Sequence, residues 1–258
     1  MTPKSSPFTW EPDVNAASTR NTSTSLLQVE GLRAGYGKAE VLHGMNFAVK
    51  PGEFVVLLGR NGAGKSTTLH ALSGLIPKSA GTVRFKDEDI SRLDSREIVR
   101  RGVVNVLEGH RVFTGLSVED NLLLGTYARE RSGDRSKLAR VYDLFPELAE
   151  RRHQPASRLS GGQQQILAVG QGVIADPALL ILDEPSGGLA PIVVDRILKV
   201  ARQLCSTGIA ILLVEQLVKE ALKFADYCYL VESGLVGGEG TPEEVRGGET
   251  IKRIYLGG

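Results

Sequence analysis

The residues with the most explicit chemistry form the run Gly59-Arg60-Asn61-Gly62-Ala63-Gly64-Lys65-Ser66. It fits G-x-x-x-x-G-K-[ST], a loop whose backbone N–H groups close around phosphate oxygens. Lys65 can reach the β- and γ-phosphates of a nucleotide, and the Ser66 hydroxyl can hold Mg²⁺. A second constellation, Asp183-Glu184, closes the apolar run Ala178–Leu182. An Asp in that place can hold Mg²⁺ through water, and a neighbouring Glu can polarise the attacking water. The third is Leu159-Ser160-Gly161-Gly162-Gln163. A serine and two glycines at a helix start make an anion site from hydroxyl, backbone N–H and helix dipole. Taken singly, these could be a glycine-rich turn, a surface acidic pair and a helix cap. Their order along one chain is what makes them specific.

Each constellation needs elements to hold it. Phe54–Leu58 reads as a buried strand and Thr67–Leu72 as the opening of a helix, so the glycine loop lies between strand and helix. The apolar run before Asp183 reads as another buried strand, placing the acidic pair at the catalytic edge of a sheet. Further strands are expected at Leu26–Glu30, Val41–Val49, Gly81–Phe85, Val103–Leu107 and Ile209–Val214. Gly35-Tyr36-Gly37 reads as a turn carrying one aromatic. Helices are expected over Ser91–Arg101, Ile192–Ser206 and most of Ser117–Ser157, where Leu138, Val141, Tyr142, Phe145 and Leu148 share one helical face. Arg129–Arg135 is a charged break. Ser117 and Thr241 are expected helix caps, the second followed by Pro242 and by Glu244 at the third helical position. Alternating strands and helices imply a parallel sheet.

The chain has 258 residues and a formal net charge of +1, so no strong field directs it to nucleic acid. Its two cysteines, Cys205 and Cys228, lack metal or redox spacing. No run approaches the length of a membrane span. The first 25 residues hold ten Ser/Thr and three Pro, the composition of a disordered tail.

The sequence resembles the nucleotide-binding subunits of ATP-binding cassette (ABC) transporters over Leu26–Gly258. The Tyr-bearing turn, the glycine loop, L-S-G-G-Q and the apolar strand ending in Asp-Glu follow one another in that family's order. The resemblance implies an α/β fold. A P-loop NTPase (RecA-like) core with a parallel sheet would carry an N-terminal antiparallel β portion and an inserted helical subdomain. The core would comprise 26–104 and 161–258, and the helical subdomain with its signature turn 105–160. ATP and Mg²⁺ would be the cofactors. Tyr36 would stack on adenine. Gly59 to Thr67 would hold phosphate, and Ser66, Asp183 and Glu108 the metal. Ser160 and Gly162 would reach the γ-phosphate of ATP held by a second ATPase subunit, the two packed head to tail, with Gly161 and Gln163 in the same nucleotide-binding turn.

Departures from the general pattern narrow the branch. Glu108 stands where a Gln is usual, Gln216 where a switch His is usual, and Gly187-Gly188-Leu189-Ala190 where Ser-Ala-Leu-Asp is usual. With Ser117–Leu122 and the ending Ile254-Tyr255-Leu256-Gly257, these resemble the branched-chain amino acid importers, in their LivF-like ATPase. Leu107, Gln171 and Gly188 are less typical, and Gly170 and Gly172 are expected to weaken their helix by up to ~1 kcal/mol each. A Gln cannot carry the charge a His can, so Glu184 is expected to carry water activation and Gln216 only to position. None of His43, His70, His110 and His153 aligns with the switch.

The implied partners are a second ATPase, identical or a sister, and two transmembrane permease subunits. An extracytoplasmic binding protein would act indirectly, and nucleic acid is not expected. The subunit would sit on the cytoplasmic face of the inner membrane and dock through the groove beside Glu108–Phe113 and the helical insertion, and charge reversal at Arg111 is expected to uncouple hydrolysis from transport. Urea, amides or other amino acids are alternative cargoes. A repair-type ABC ATPase would need a long coiled coil between Ser66 and Ser160, which has no sustained heptads. A GTPase would need an N-K-x-D motif, absent from the sequence.

Overall fold

A computed structural model of the chain describes residues 24–109, 112–127 and 134–247. Strands β1 (Leu27–Tyr36) and β2 (Ala39–Val49) pair antiparallel, Leu27 opposite Val49 and Tyr36 opposite Ala39. The expected first strand therefore runs on past Glu30, and Tyr36 is its last residue rather than the middle of a turn. Next come β3 (Phe54–Leu58) and α1 (Lys65–Leu72), with the glycine loop between them. Strands β4 (Lys78–Phe85) and β5 (Glu88–Asp89) complete a four-stranded antiparallel sheet in the order β2-β1-β4-β5.

The second sheet contains β3, β6 (Val103–Val106), β7 (Leu179–Asp183), β8 (Ala210–Glu215), β9 (Tyr227–Glu232) and β10 (Leu235–Gly240). Its order is β10-β9-β3-β8-β7-β6. The β9–β3, β3–β8, β8–β7 and β7–β6 pairs are parallel, whereas β10 runs antiparallel to β9. The expected parallel sheet is thus mixed, with one antiparallel edge. Every residue of β3, β7 and β8 is buried, which explains their unbroken apolar runs. Strand alternation divides them between two cores. Phe54, Val56 and Leu58 face one that also contains Leu167, Val169, Ile197 and Leu204. Val55 and Leu57 face the other, with Leu69, Leu72, Val29 and Phe47 from the helix and sheet above.

Helix α2 (Ser95–Arg101) starts later than the expected Ser91, because Asp94 caps it. Asp94 Oδ1 accepts from Glu97 N at 2.8 Å while Glu97 reaches back to Asp94 N. Asn105 and Val106, assigned by sequence to the helical subdomain, pair with Ile181 and Leu182 in the main sheet.

The helical insertion begins with α3 (Val118–Thr126), capped by Ser117 as expected. The single face expected from Leu138 to Leu148 is two helices, α4 (Leu138–Leu144) and α5 (Pro146–Ala149). Pro146 accounts for the break. It has no N–H to donate and disfavours helical dihedrals at the residue before it. Phe145 accordingly adopts φ −133° and ψ 72°, yet remains fully buried.

Helix α6 (Gly161–Ile174) packs on α3. A Cβ at Gly172 would lie 2.7 Å from Val106 Cγ2 and 2.9 Å from Leu180 Cδ1, so close contact with the sheet accounts for a residue that weakens the helix. The remaining helices are α7 (Pro191–Ser206), α8 (Val218–Ala221) and α9 (Pro242–Gly247). Thr241 caps α9 as expected, exchanging bonds with Glu244. Cys205 and Cys228 are buried, which pushes both thiols up to about 12. Residues 1–23 of the expected tail, most of the charged break, His110, Arg111 and the ending Ile254–Gly257 lie outside the described residues. Among the described residues, no helix is long and apolar enough to cross a membrane.

Candidate nucleotide site

The glycine loop is held tightly from behind. A Cβ at Gly59 would fall 2.4 Å from Val231 O, so the loop can approach β9 only as glycine. Gly64 takes φ +106° and ends the loop as the N-cap of α1, where no side chain caps the helix. The first N–H groups of α1 are therefore available to an anion. Lys65 is buried, and its Nζ donates to Gly59 O at 2.9 Å and Arg60 O at 3.2 Å. Glu184 Oε1 lies 3.3 Å from the same nitrogen.

In front of the loop is a cavity of about 590 Å³, enough for a small ligand. Asn61, Gly62, Gly64, Lys65, Ser66 and Thr67 line it from the loop side, and Glu108, Glu184 and Gln216 from the ends of three strands. Three segments far apart in sequence thus meet at one cavity. Asp183 joins the cavity through Ser66, whose Oγ donates to Asp183 Oδ1 at 3.1 Å. Burial raises the Asp183 carboxyl above its ordinary value, and the Ser66 hydrogen bond works against that rise. Arg60 and Ala63 face a smaller hollow of about 210 Å³ behind the loop, beside Val231 and Ser233.

Glu184 has φ +42°, a left-handed backbone that costs a residue other than glycine on the order of 1–3 kcal/mol. Surrounding bonds hold it there. Its N–H donates to Val214 O at 3.0 Å, and its carbonyl accepts from Gly187 N at 3.2 Å. Its Oε2 accepts from Gln216 Nε2 at 2.5 Å. Lys65 and Gln216 therefore grip the two oxygens of one carboxylate.

Two groups of expected site residues stand apart from the cavity. Tyr36 is half-exposed, and its hydroxyl lies 2.9 Å from His70 Nδ1 on α1. Ser160 is the N-cap of α6 and forms a reciprocal capping box with Gln163. Ser160 and Gly161 are exposed, and Gly162 sits against Val193 at the start of α7. None of Ser160, Gly161, Gly162 and Gln163 lines the cavity that holds Lys65.

Sequence reasoning gave no role of their own to two residues here, Glu215 beside Gln216 at the switch position and Asn121 within Ser117–Leu122. Glu215, at the end of β8, is buried and accepts four hydrogen bonds from Ser186, Gln216 and Leu217. Its signal was an acidic residue closing a wholly apolar strand, the same signature that singled out Asp183. Asn121 is the other, fully buried in the insertion and bonded to the Phe113–Ser117 segment.

Comparison with known proteins gives a consistent result. The sequence model of the family described as ABC transporter matches residues 42–187. The high-affinity branched-chain amino acid transport ATP-binding protein BraG of Pseudomonas aeruginosa is 40% identical over 233 residues, 90% of this chain and 100% of BraG. The lipopolysaccharide export system ATP-binding protein LptB of Escherichia coli is 33% identical, over 90% of this chain and 97% of LptB. The ADP conformation of MJ1267, an ATP-binding cassette of an ABC transporter, shares the fold with a TM-score of 0.81 at 24% identity, covering 92% of this chain and 100% of that one. The structure of cbiO1 from Clostridium perfringens, part of the ABC transporter complex cbiONQ, gives a TM-score of 0.77 at 27% identity, covering 91% and 96%. With a family match over more than half its length and a relative spanning nearly all of it, the chain belongs to the ABC transporter family, as an ATP-binding subunit whose ATP hydrolysis is coupled to transport.

Proposed function

We propose that this chain drives the uptake of branched-chain or other hydrophobic amino acids by hydrolysing ATP at a site shared with a second ATPase subunit. The observation that carries the cargo is the 40% identity to BraG over the whole of BraG. LptB, at 33%, supplies the second reading, a transporter for another cargo. ATPase subunits of this family work with transmembrane permease partners. The proposed location is the cytoplasmic face of the inner membrane, with an extracytoplasmic binding protein delivering the cargo.

Within the site, the loop Gly59–Thr67 cradles the phosphates, and Lys65 turns from Glu184 to the β- and γ-phosphates. Ser66 Oγ, Asp183 and Glu108 offer hard oxygen donors, the donor type that suits Mg²⁺. Among the described residues, no cluster of three or more His, Cys, Asp or Glu could hold a metal alone. Bound Mg²⁺ would neutralise charge developing on the phosphates. Glu184 polarises the attacking water as general base, and Gln216 positions it with a neutral hydrogen bond. Tyr36 takes the adenine. Ser160 and Gly162 serve the ATP of the second subunit, which is consistent with the exposure of Ser160 and with neither residue lining this chain's own cavity.

The permease would dock in the groove between the sheet and the insertion, a hollow of about 300 Å³ lined in part by Val104, Val106, Leu107, Gly125, Gln171 and Ala175. Phe113, which closes the Glu108–Phe113 segment, stands exposed. Uptake of labelled leucine, isoleucine and valine tests the cargo, in vesicles holding the assembled transporter and the binding protein encoded beside it. ATP-dependent accumulation is expected. Failure with these amino acids alongside transport of an unrelated cargo would refute the reading.

A further inference from the structure

Glu215 is buried with 1% of its surface exposed, at the last position of β8. A carboxylate in that setting must be matched by donors, or its burial costs several kcal/mol. The donors come from two separate turns. Oε1 accepts from Ser186 N at 3.1 Å and Oε2 from Ser186 Oγ at 2.8 Å. Oε2 also accepts from Gln216 N at 3.0 Å and Leu217 N at 3.3 Å.

These bonds close a ring. Glu184 runs through Pro185 to Ser186. Ser186 is held by Glu215, and Glu215 is followed by Gln216. The Gln216 side chain then returns to Glu184 Oε2 at 2.5 Å. Half the links are covalent and half are hydrogen bonds. The ring fixes the turn that carries Glu184, including its left-handed backbone, relative to the amide that grips its carboxylate. Gly187 and Gly188, next in the chain, are exposed. Apart from the Glu184 N–H bond to Val214 O, the turn's other backbone bonds, Gly187 N to Glu184 O and Leu189 N to Ser186 O, are local to it.

We propose that Glu215 is a positioning residue for ATP hydrolysis. It locks the Ser186 turn to the Gln216 turn and thereby sets the direction of the Glu184 carboxylate. This rests on the reading of Glu184 as the general base. Glu215 lines neither the phosphate loop nor the cavity, so its loss should act on turnover and spare ATP binding. The carboxylate form matters because both oxygens accept N–H donors, and an amide would turn an NH₂ toward one of them.

The test measures kcat and KM for ATP in the full chain, under conditions where the wild type turns over, for Glu215→Ala, Ser186→Ala, Ser186→Thr, the double alanine variant and Glu184→Gln. The expected result is a loss of roughly tenfold in kcat for Glu215→Ala and about threefold for Ser186→Ala, with KM within about twofold of wild type. Ser186→Thr keeps the hydroxyl and should restore kcat to within about twofold. The double variant should be no slower than Glu215→Ala, because both substitutions cut the same link. A purely structural role would lower the folded, ATP-binding fraction of the sample in proportion to the loss of apparent kcat, and that outcome, read from ATP-binding stoichiometry and the denaturant midpoint, overturns the proposal. Unchanged kcat in Glu215→Ala and Ser186→Ala overturns it too, while an inactive Glu184→Gln would leave the reading of the base intact. If Glu215→Ala fails to fold, Ser186→Ala against Ser186→Thr decides, and equal rates for that pair sink the idea.

Discussion

Glu184 is held from both sides, by the Lys65 ammonium at 3.3 Å and by the Gln216 amide at 2.5 Å. Only the carboxylate can take up a proton from water. The amide can donate and accept but cannot carry the charge that a histidine would. Glu184→Gln should therefore cost on the order of 100-fold or more in ATP turnover, the usual scale for losing a general base. Gln216→Ala should cost about tenfold, as the loss of one neutral positioning contact. The comparison is a turnover measurement on both variants in the assembled transporter, and similar losses in the two would refute the ranking. At this scale the phosphate loop and Asp183-Glu184 were legible because each follows a fully apolar strand. Glu215 meets the same description, closing Ala210–Val214, but its partner Ser186 lies 29 residues earlier, and pairing at that separation is set by the sheet order rather than by local pattern.

Elements were legible wherever local chemistry decides them. Ser117, Ser160 and Thr241 cap the helices that follow them, with their side chains bonded three residues on. Periodicity misled at Phe145, where the apolar spacing continued but Pro146 ended the helix. The face survives because Phe145 and Leu148 still reach the same core as Leu138 and Val141. Packing between elements was not legible at all. Asn121, an ordinary polar residue in α3 by sequence, has no exposed surface and ties the preceding loop to α6. It accepts from Phe113 N at 2.8 Å and donates to Phe113 O and Ser117 O, while Gln171 Nε2 donates to its carbonyl at 2.9 Å. Asn121→Ala would leave the Phe113 amide without that partner. It should destabilise the chain by about 1–3 kcal/mol, read as a lower denaturant midpoint with unchanged slope. A midpoint equal to wild type would show that water replaces the side chain without cost.

For the whole molecule, what matters is that two groups of candidate site residues stand apart on one chain. Lys65, Ser66, Glu184 and Gln216 surround one cavity, while Ser160 and Gly162 present their turn elsewhere. The resemblance to ABC transporters made this arrangement expected from sequence; the separation is now a feature of the fold. The cavity is expected to become an efficient hydrolytic site only when another chain supplies its Ser160–Gly162 turn, or a sister's equivalent. The most direct measurement is ATP turnover per chain as a function of protein concentration, with and without an added sister ATPase. The account predicts weak turnover at high dilution that rises as chains pair. Full turnover by the monomer, independent of concentration and of any partner, would contradict it.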